Sequence, residues 1–154
     1  MKESVVTYLT NEDRVCLGLK KFGYSKGKWN GFGGKIEEGE SPQEAAVREV
    51  FEESAVVLQI SDLKQVAIFY YHEPQGDWNV IVFLCNKFEG TPKESKEMKP
   101  EWFDTNNLPL NDMWKNDSLW LKRLLSSNKL LKGEFWHDKN GKVIKHELSE
   151  VDGF

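Results

Sequence analysis

Glu49, Glu52 and Glu53 are the residues of this 154-residue chain whose type and spacing best suit chemistry. In a helix, at ~100° per residue, they fall on one narrow face. Like charges that close repel each other and destabilise a bare helix. A helix that keeps them invites a cation to join them. All-oxygen ligands suit a hard divalent ion, Mg²⁺ or Mn²⁺, better than zinc. A solvated acidic face is the ordinary explanation of such a helix, but the residues before it weigh against that. Trp29, Asn30, Gly31, Phe32, Gly33 and Gly34, with Gly39 beyond, form a glycine-rich stretch. Such glycines leave the backbone bare and free to take φ > 0, and loops of this kind aim N–H groups at phosphate oxygens.

The element that must position the glutamates is legible. Ser41 is a good N-cap, Pro42 fits the first helical position, and Glu44 completes a capping box. Nothing breaks the helix before about Ser54. Ala46, Val47, Val50 and Phe51 fall on the adjoining face, which is expected to bury. Arg48 precedes Glu52 by one turn and is placed to partner one carboxylate.

Around that helix the chain reads as strands and turns. Val5–Thr10 and Arg14–Lys20 flank the turn Asn11, Glu12, Asp13. Residues 64–72 and 79–88 suggest a second hairpin, and Trp102 and Phe103 begin another short strand. A second helix is expected to run to about Ser127, with Asn116 or Asp117 as N-cap and Leu121, Leu124 and Leu125 as its buried stripe. Asn140 and Gly141, between residues 132–138 and 142–151, signal a type I′ hairpin. The layout predicts an α+β fold: a mixed, largely antiparallel sheet with a helix on each side.

Composition narrows the function classes. The length suits one domain, residues 1–154. Net charge −4 and a pI near 5.5 argue against a nucleic-acid polymer as partner. No run is long and apolar enough for a membrane span, and the start has no apolar leader. Cys16 and Cys85 lack metal-ligand spacing and read as buried free thiols, which suits a cytoplasmic protein. His72, His137 and His146 are scattered and carry no assigned chemistry.

Gly34, Glu40 and the run Arg48, Glu49, Val50, Phe51, Glu52, Glu53, Ser54, Ala55, Val56 resemble the signature of the Nudix hydrolases, enzymes that hydrolyse nucleoside diphosphates linked to another group. Ala55 departs from the pattern, where the family usually has glycine, and bears on the helix exit. The resemblance implies an α/β/α sandwich. It assigns Glu49, Glu52 and Glu53, with the Gly33 carbonyl, to Mg²⁺ (Mn²⁺ as the alternative), and Glu97 to a further carboxylate ligand. Arg48 joins the catalytic set. The choice of base among the carboxylates stays open, with Glu53 favoured.

Residues outside that signature resemble the animal-type oxidised purine nucleoside triphosphatases within the family. They include Lys20, Lys21, Trp29, Gly90, Glu97, Trp114 and Asp117. That likeness implies Mg²⁺-dependent hydrolysis of 8-oxo-dGTP to 8-oxo-dGMP and pyrophosphate by a monomer. It also implies a base pocket of Asn30, Phe32, Trp114, Asn116 and Asp117, walled by Phe69 and Trp120. Lys20, Gly33, Gly34 and Lys35 join the substrate-binding set. Stacking on Trp114 is worth about 1–3 kcal/mol by analogy with base–aromatic stacking. Asp117 suits the N1 and N2 donors of a guanine edge, and the Asn116 amide suits O6. The relatives usually carry Asp at position 116, one of the pair holding a proton. Asn donates at any pH, which predicts a flatter pH dependence and puts activity on 2-hydroxy-dATP in question. Two alternatives remain: a Nudix enzyme for another substrate, such as ADP-ribose or a diadenosine polyphosphate, and a non-catalytic nucleotide sensor. Retention of all three glutamates argues against the sensor.

Overall fold

The computed structural model describes residues 2–154. Strand β1 (Lys2–Asn11) turns at Glu12, which takes φ 54°, into β2 (Arg14–Lys20). Trp29–Asn30 (β3) and Phe32–Lys35 (β4) follow, then helix α1 (Pro42–Ser54). The hairpin of β5 (Lys64–His72) and β6 (Trp78–Cys85) precedes β7 (Met98–Asp104). Short helix α2 (Leu121–Ser126) and the hairpin β8 (Leu130–His137), β9 (Val143–Val151) complete the chain.

All nine strands join one sheet, ordered β3-β2-β1-β6-β5-β8-β9, with β4 also on β1 and β7 also on β2. Among the described residues β1–β6 and β5–β8 are parallel, and the other strand pairs are antiparallel. Side-chain alternation puts the helices on opposite faces. Tyr8, Val15, Leu17 and Val82 pack with Trp120, Leu121 and Leu124 of the α2 side. Their neighbours Leu9, Cys16 and Phe83 pack on the α1 side, with Val50 or with Ala45 and Ala46. The expected mixed sheet between helices is what forms.

Helix α1 starts as its sequence dictates. Ser41 Oγ accepts the Glu44 N–H, and the Glu44 carboxylate accepts the Ser41 N–H. It ends at Ala55, left-handed at φ 63°, ψ 11°, whose N–H reaches the Phe51 carbonyl. A Cβ there is strained, which is why the usual residue is glycine. The buried stripe is Ala45, Ala46 and Val50, continued by Glu53 and Ser54; Phe51, expected to bury, is 56% exposed.

Two expectations fail for local reasons. Neither Asn116 nor Asp117 caps α2, whose N-cap position is Trp120 with no side-chain bond. Residues 115–119 form a separate 3₁₀ turn, with the Asp117 carboxyl bonded back to the Trp114 N–H. The Asn140–Gly141 turn is not type I′. Gly141 alone is left-handed (φ 78°), and Asp138 Oδ1 accepts the N–H groups of Asn140 and Lys142. The result is a type I turn closed by a left-handed glycine, with the ladder slipping at Trp136 and His137. Cys16 and Cys85 are buried, free thiols. Among the described residues no helix is long and apolar enough to cross a membrane.

Candidate active site

Helix α1 lies against β4, and the glycines of β4 make that approach possible. A Cβ on Gly33 would meet the Val5 carbonyl oxygen at 1.9 Å, and one on Gly34 would meet the Glu49 carboxylate at 2.6 Å. Gly33 and Gly34 within β4, and Gly31 just before it, therefore serve close packing, not left-handed turns, contrary to the expected phosphate loop. The Gly33 N–H is spent on Glu53, donating to Oε1 at 2.8 Å. Glu53 is 2% exposed. Burial, with Glu49 and Glu97 alongside, pushes its carboxyl up to about 9. Burial also raises Glu49, against the pull of Arg48.

Arg48 organises the acidic side. Its principal partner is Glu40, which accepts from Nε at 2.7 Å and from Nη2 at 2.9 Å. That bond, with the Glu37 N–H, holds the Glu40 carboxyl down at about 2. Nη1 reaches Glu49 at 2.8 Å and Glu52, the partner expected from spacing, only at 3.4 Å. Nη2 also takes the Lys35 carbonyl at 3.1 Å. Glu52 remains half exposed.

Glu97 arrives from the far side, close enough to help raise the Glu53 carboxyl. Lys20 Nζ lies 3.7 Å from Glu97 and 5.7 Å from the Phe22 ring. The distant glutamate thus joins the helix carboxylates, as its motif implied. The set fits a hard cation: one carboxyl is almost wholly buried, its neighbours repel it, and all donors are oxygens. Among the described residues no three acidic groups already converge as a ligand set, and Arg48 holds one oxygen of Glu49.

The other group of candidates assembles on the α2 side. Asp117 is 5% exposed, and its Oδ2 has no hydrogen-bond partner. Burial pushes this carboxyl up to about 7 despite the Trp114 N–H. Tyr8 and Tyr71 feel its charge and are both raised, chiefly by burial. The Trp120 ring packs on Phe69 at 4.7 Å and on Tyr8 at 6.1 Å, with its Nε1 also unpartnered. Asn116 and Trp114 are half-buried beside it. Trp114 stacks on Tyr24 at 5.2 Å, donates Nε1–H to Ser25 Oγ at 3.3 Å, and sits under Lys28 Nζ at 5.3 Å. Asn30 Oδ1 is engaged by the Gly31 N–H. Phe32 corrects its assignment: it is fully buried among Leu9, Cys16, Val50 and Met98 on the α1 face, because alternation along β4 turns it away from the base-side cluster. Strand β4 links the two regions. Gly31 lies against the Tyr8 ring on the base side, and two residues later, about 7 Å on, the Gly33 N–H serves Glu53.

The NUDIX domain model matches residues 2–124, which span the whole acidic helix, its glycine strand and both strands that frame them. The chain belongs to the Nudix family. Nudix hydrolases work with divalent cations, consistent with the all-oxygen set here. Among relatives, the "Oxidized purine nucleoside triphosphate hydrolase" of Danio rerio is 38% identical over 140 residues, 90% of this chain and 88% of that protein. The Mus musculus protein of the same name is 37% identical over 142 residues, 92% and 90% respectively. The crystal structure of a MutT protein from Bacillus halodurans superposes with TM-score 0.82 at 25% identity, over 97% of this chain and 98% of that one.

Several residues of this Nudix domain carry weight that spacing did not reveal. Glu40 was visible only as a fixed motif position, yet it is the anchor of Arg48. Tyr8 looked like one apolar strand residue among several. Tyr24 and Ser25 sit in a loop remote in sequence from Trp114. Only the "i, i+8" separation of Glu40 and Arg48 across the helix N-terminus offered a signal, since an ion pair there closes the capping turn onto the helix.

Proposed function

We propose that this Nudix hydrolase cleaves oxidised purine nucleoside triphosphates, converting 8-oxo-dGTP to 8-oxo-dGMP and pyrophosphate with Mg²⁺. The observation that carries the reading is Asp117: an almost wholly buried carboxyl with an unpartnered oxygen. Such a group costs stability unless a ligand supplies donors. A guanine edge supplies two, at N1 and N2. The Asn116 amide donates to O6, the Asn30 NH₂ remains available for the base, and Trp114 stacks on it. The Danio and Mus names point the same way.

The phosphates then run along β4 towards the carboxylates, with Lys20 and Lys35 at hand to offset their charge. A divalent cation held by Glu49, Glu52, Glu53 and Glu97, with the Gly33 carbonyl, would neutralise phosphate charge and acidify a bound water. Glu53 would orient that water and, ionised once a cation offsets its acidic neighbours, would be placed to accept its proton. Attack of a water on one of the two phosphorus atoms would break that atom's bond to the oxygen bridging the α and β phosphates, and Glu53 would hold the proton released. Arg48 keeps Glu49 and Glu52 on the cation side of the helix. All these groups come from one chain, which supports a monomer. β8 extends the sheet by pairing with β5, which supports treating residues 1–154 as one unit. The buried free thiols support a cytoplasmic setting.

The test is product analysis with 8-oxo-dGTP and dGTP, with and without Mg²⁺. Expected is Mg²⁺-dependent release of 8-oxo-dGMP and pyrophosphate, faster than with dGTP. Equal rates on both substrates would sink the preference for the oxidised base, and cation-independent turnover would sink the carboxylate reading.

A further inference from the structure

Glu97 lies in a segment, residues 86–97, with little regular structure, yet its carboxyl meets Glu53. Something must hold it there. The segment is anchored at one end by a two-way bridge between Val57 and Glu89, each N–H to carbonyl at 3.0 Å. The Lys93 N–H then donates to the carbonyl of Ser54, next to Glu53, at 2.8 Å. Ser95 Oγ accepts the N–H groups of Glu97 and Met98 at 3.3 and 3.1 Å, tightening the turn that presents Glu97. Met98 is buried and seats against Gly18, where a Cβ would come within 3.0 Å of its sulfur.

One side chain ties this strap to the sheet. Lys21 Nζ donates to the Ser95 carbonyl at 2.7 Å and pairs with the Glu94 carboxylate, while its own N–H donates to the Glu97 carbonyl at 2.8 Å. An exposed lysine–glutamate pair alone is worth little. Here the ammonium also closes on a backbone carbonyl, and both contacts fall within three residues of Glu97.

We propose that Lys21 is a positioning residue: it latches the 89–98 strap so that Glu97 stands at Glu53 before any nucleotide arrives. This rests on the reading of Glu97 as a cation ligand. Lys20, its neighbour, has the separate role of facing the Glu97 carboxylate.

The test uses the full chain without nucleotide, Mn²⁺ as the probe by calorimetry, and amide hydrogen exchange at Glu97 and Met98. Lys21→Met is expected to weaken Mn²⁺ binding about 10-fold, the range for residues that orient metal ligands, and to speed exchange at both amides. Lys21→Arg should recover most of the affinity. In a Glu97→Gln background, Lys21→Met should cause no further loss. Unchanged Mn²⁺ affinity in Lys21→Met, where Glu97→Gln does weaken binding, overturns the latch alone. An equal loss with and without Glu97 overturns it too, by showing a merely structural effect. If Glu97→Gln itself leaves affinity unchanged, the ligand reading falls and takes the latch with it.

Discussion

Glu53 and Asp117 are both carboxyls more than nine-tenths buried, and each accepts one backbone N–H, from Gly33 and from Trp114 respectively. Their surroundings differ in kind. Glu53 is flanked by Glu49 and Glu97, so burial and like charge act together and lift it to about 9. Asp117 has aromatic neighbours, Tyr8, Tyr71 and Trp120, and burial alone lifts it to about 7. The first environment is relieved by a cation. The second is relieved by a neutral partner that donates hydrogen bonds. One fold thus sets two buried carboxyls in opposite surroundings, and under the proposed function each would meet a different part of the nucleotide.

The sharpest way to break this contrast is Glu53→Gln. We expect kcat to fall about 10³-fold, as for loss of a general base, measured as pyrophosphate release. The same variant has a stability signature. The folded pKa lies above the ordinary 4.5, so Glu53 favours the fold at low pH, and that contribution is lost as pH rises towards 9. Without divalent cation, the wild-type Tm should therefore fall across that window, and the Gln variant should fall less. Added Mg²⁺ should raise the wild-type Tm more at pH 8 than at pH 5.

Asp117→Ala tests the other carboxyl. Loss of its hydrogen bonds to the base should lower kcat/KM for 8-oxo-dGTP about 10–100-fold, while hydrolysis of poor substrates changes less. In the wild type the ionised acceptor gains population as pH rises through about 7, so KM should improve across that interval. Equal losses on 8-oxo-dGTP and on dATP, which lacks the N1 and N2 donors, would assign Asp117 to structure alone.

Asn116→Asp probes the same pocket more gently. Asn116 removes one titration, but Asp117 retains one, so the wild-type pH profile is simpler than an Asp–Asp pair would give, and not flat. The variant should add a second inflection and shift the ratio of oxidised guanine to oxidised adenine substrates. An unchanged ratio and profile would refute the idea that Asn116 stands in for a protonated acid. The smallest effect is expected for Ala55→Gly, which relieves the left-handed Cβ at the end of α1. It should stabilise the fold by about 0.5–1 kcal/mol, or about 1–4 °C in Tm for a chain of this size.

The acidic cluster was legible because three of its carboxylates are local. Glu49, Glu52 and Glu53 share one helix whose caps are written in Ser41 and Glu44, and periodicity alone puts them together. The purine side was legible only through family likeness, because it is assembled from β1, β5, a loop and a 3₁₀ turn that no spacing rule joins. The errors have the same origin. Phe32 alternates to the wrong face of β4, Phe51 sits past the edge of the buried stripe, and Asp117 bonds backwards to Trp114 instead of capping α2. Each depends on a tertiary neighbour that the local pattern does not contain.

The two sulfhydryls described with the sheet bear on how the enzyme ages. Thiolate, not thiol, is attacked by peroxide and alkylating reagents. Burial pushes Cys16 up to about 12 and raises Cys85 as well, and neither is open to solvent. Neither sulfur therefore offers oxidants a handle while the chain stays folded. Under the proposed function, the two thiols are kept out of reach of the stress that generates the substrate.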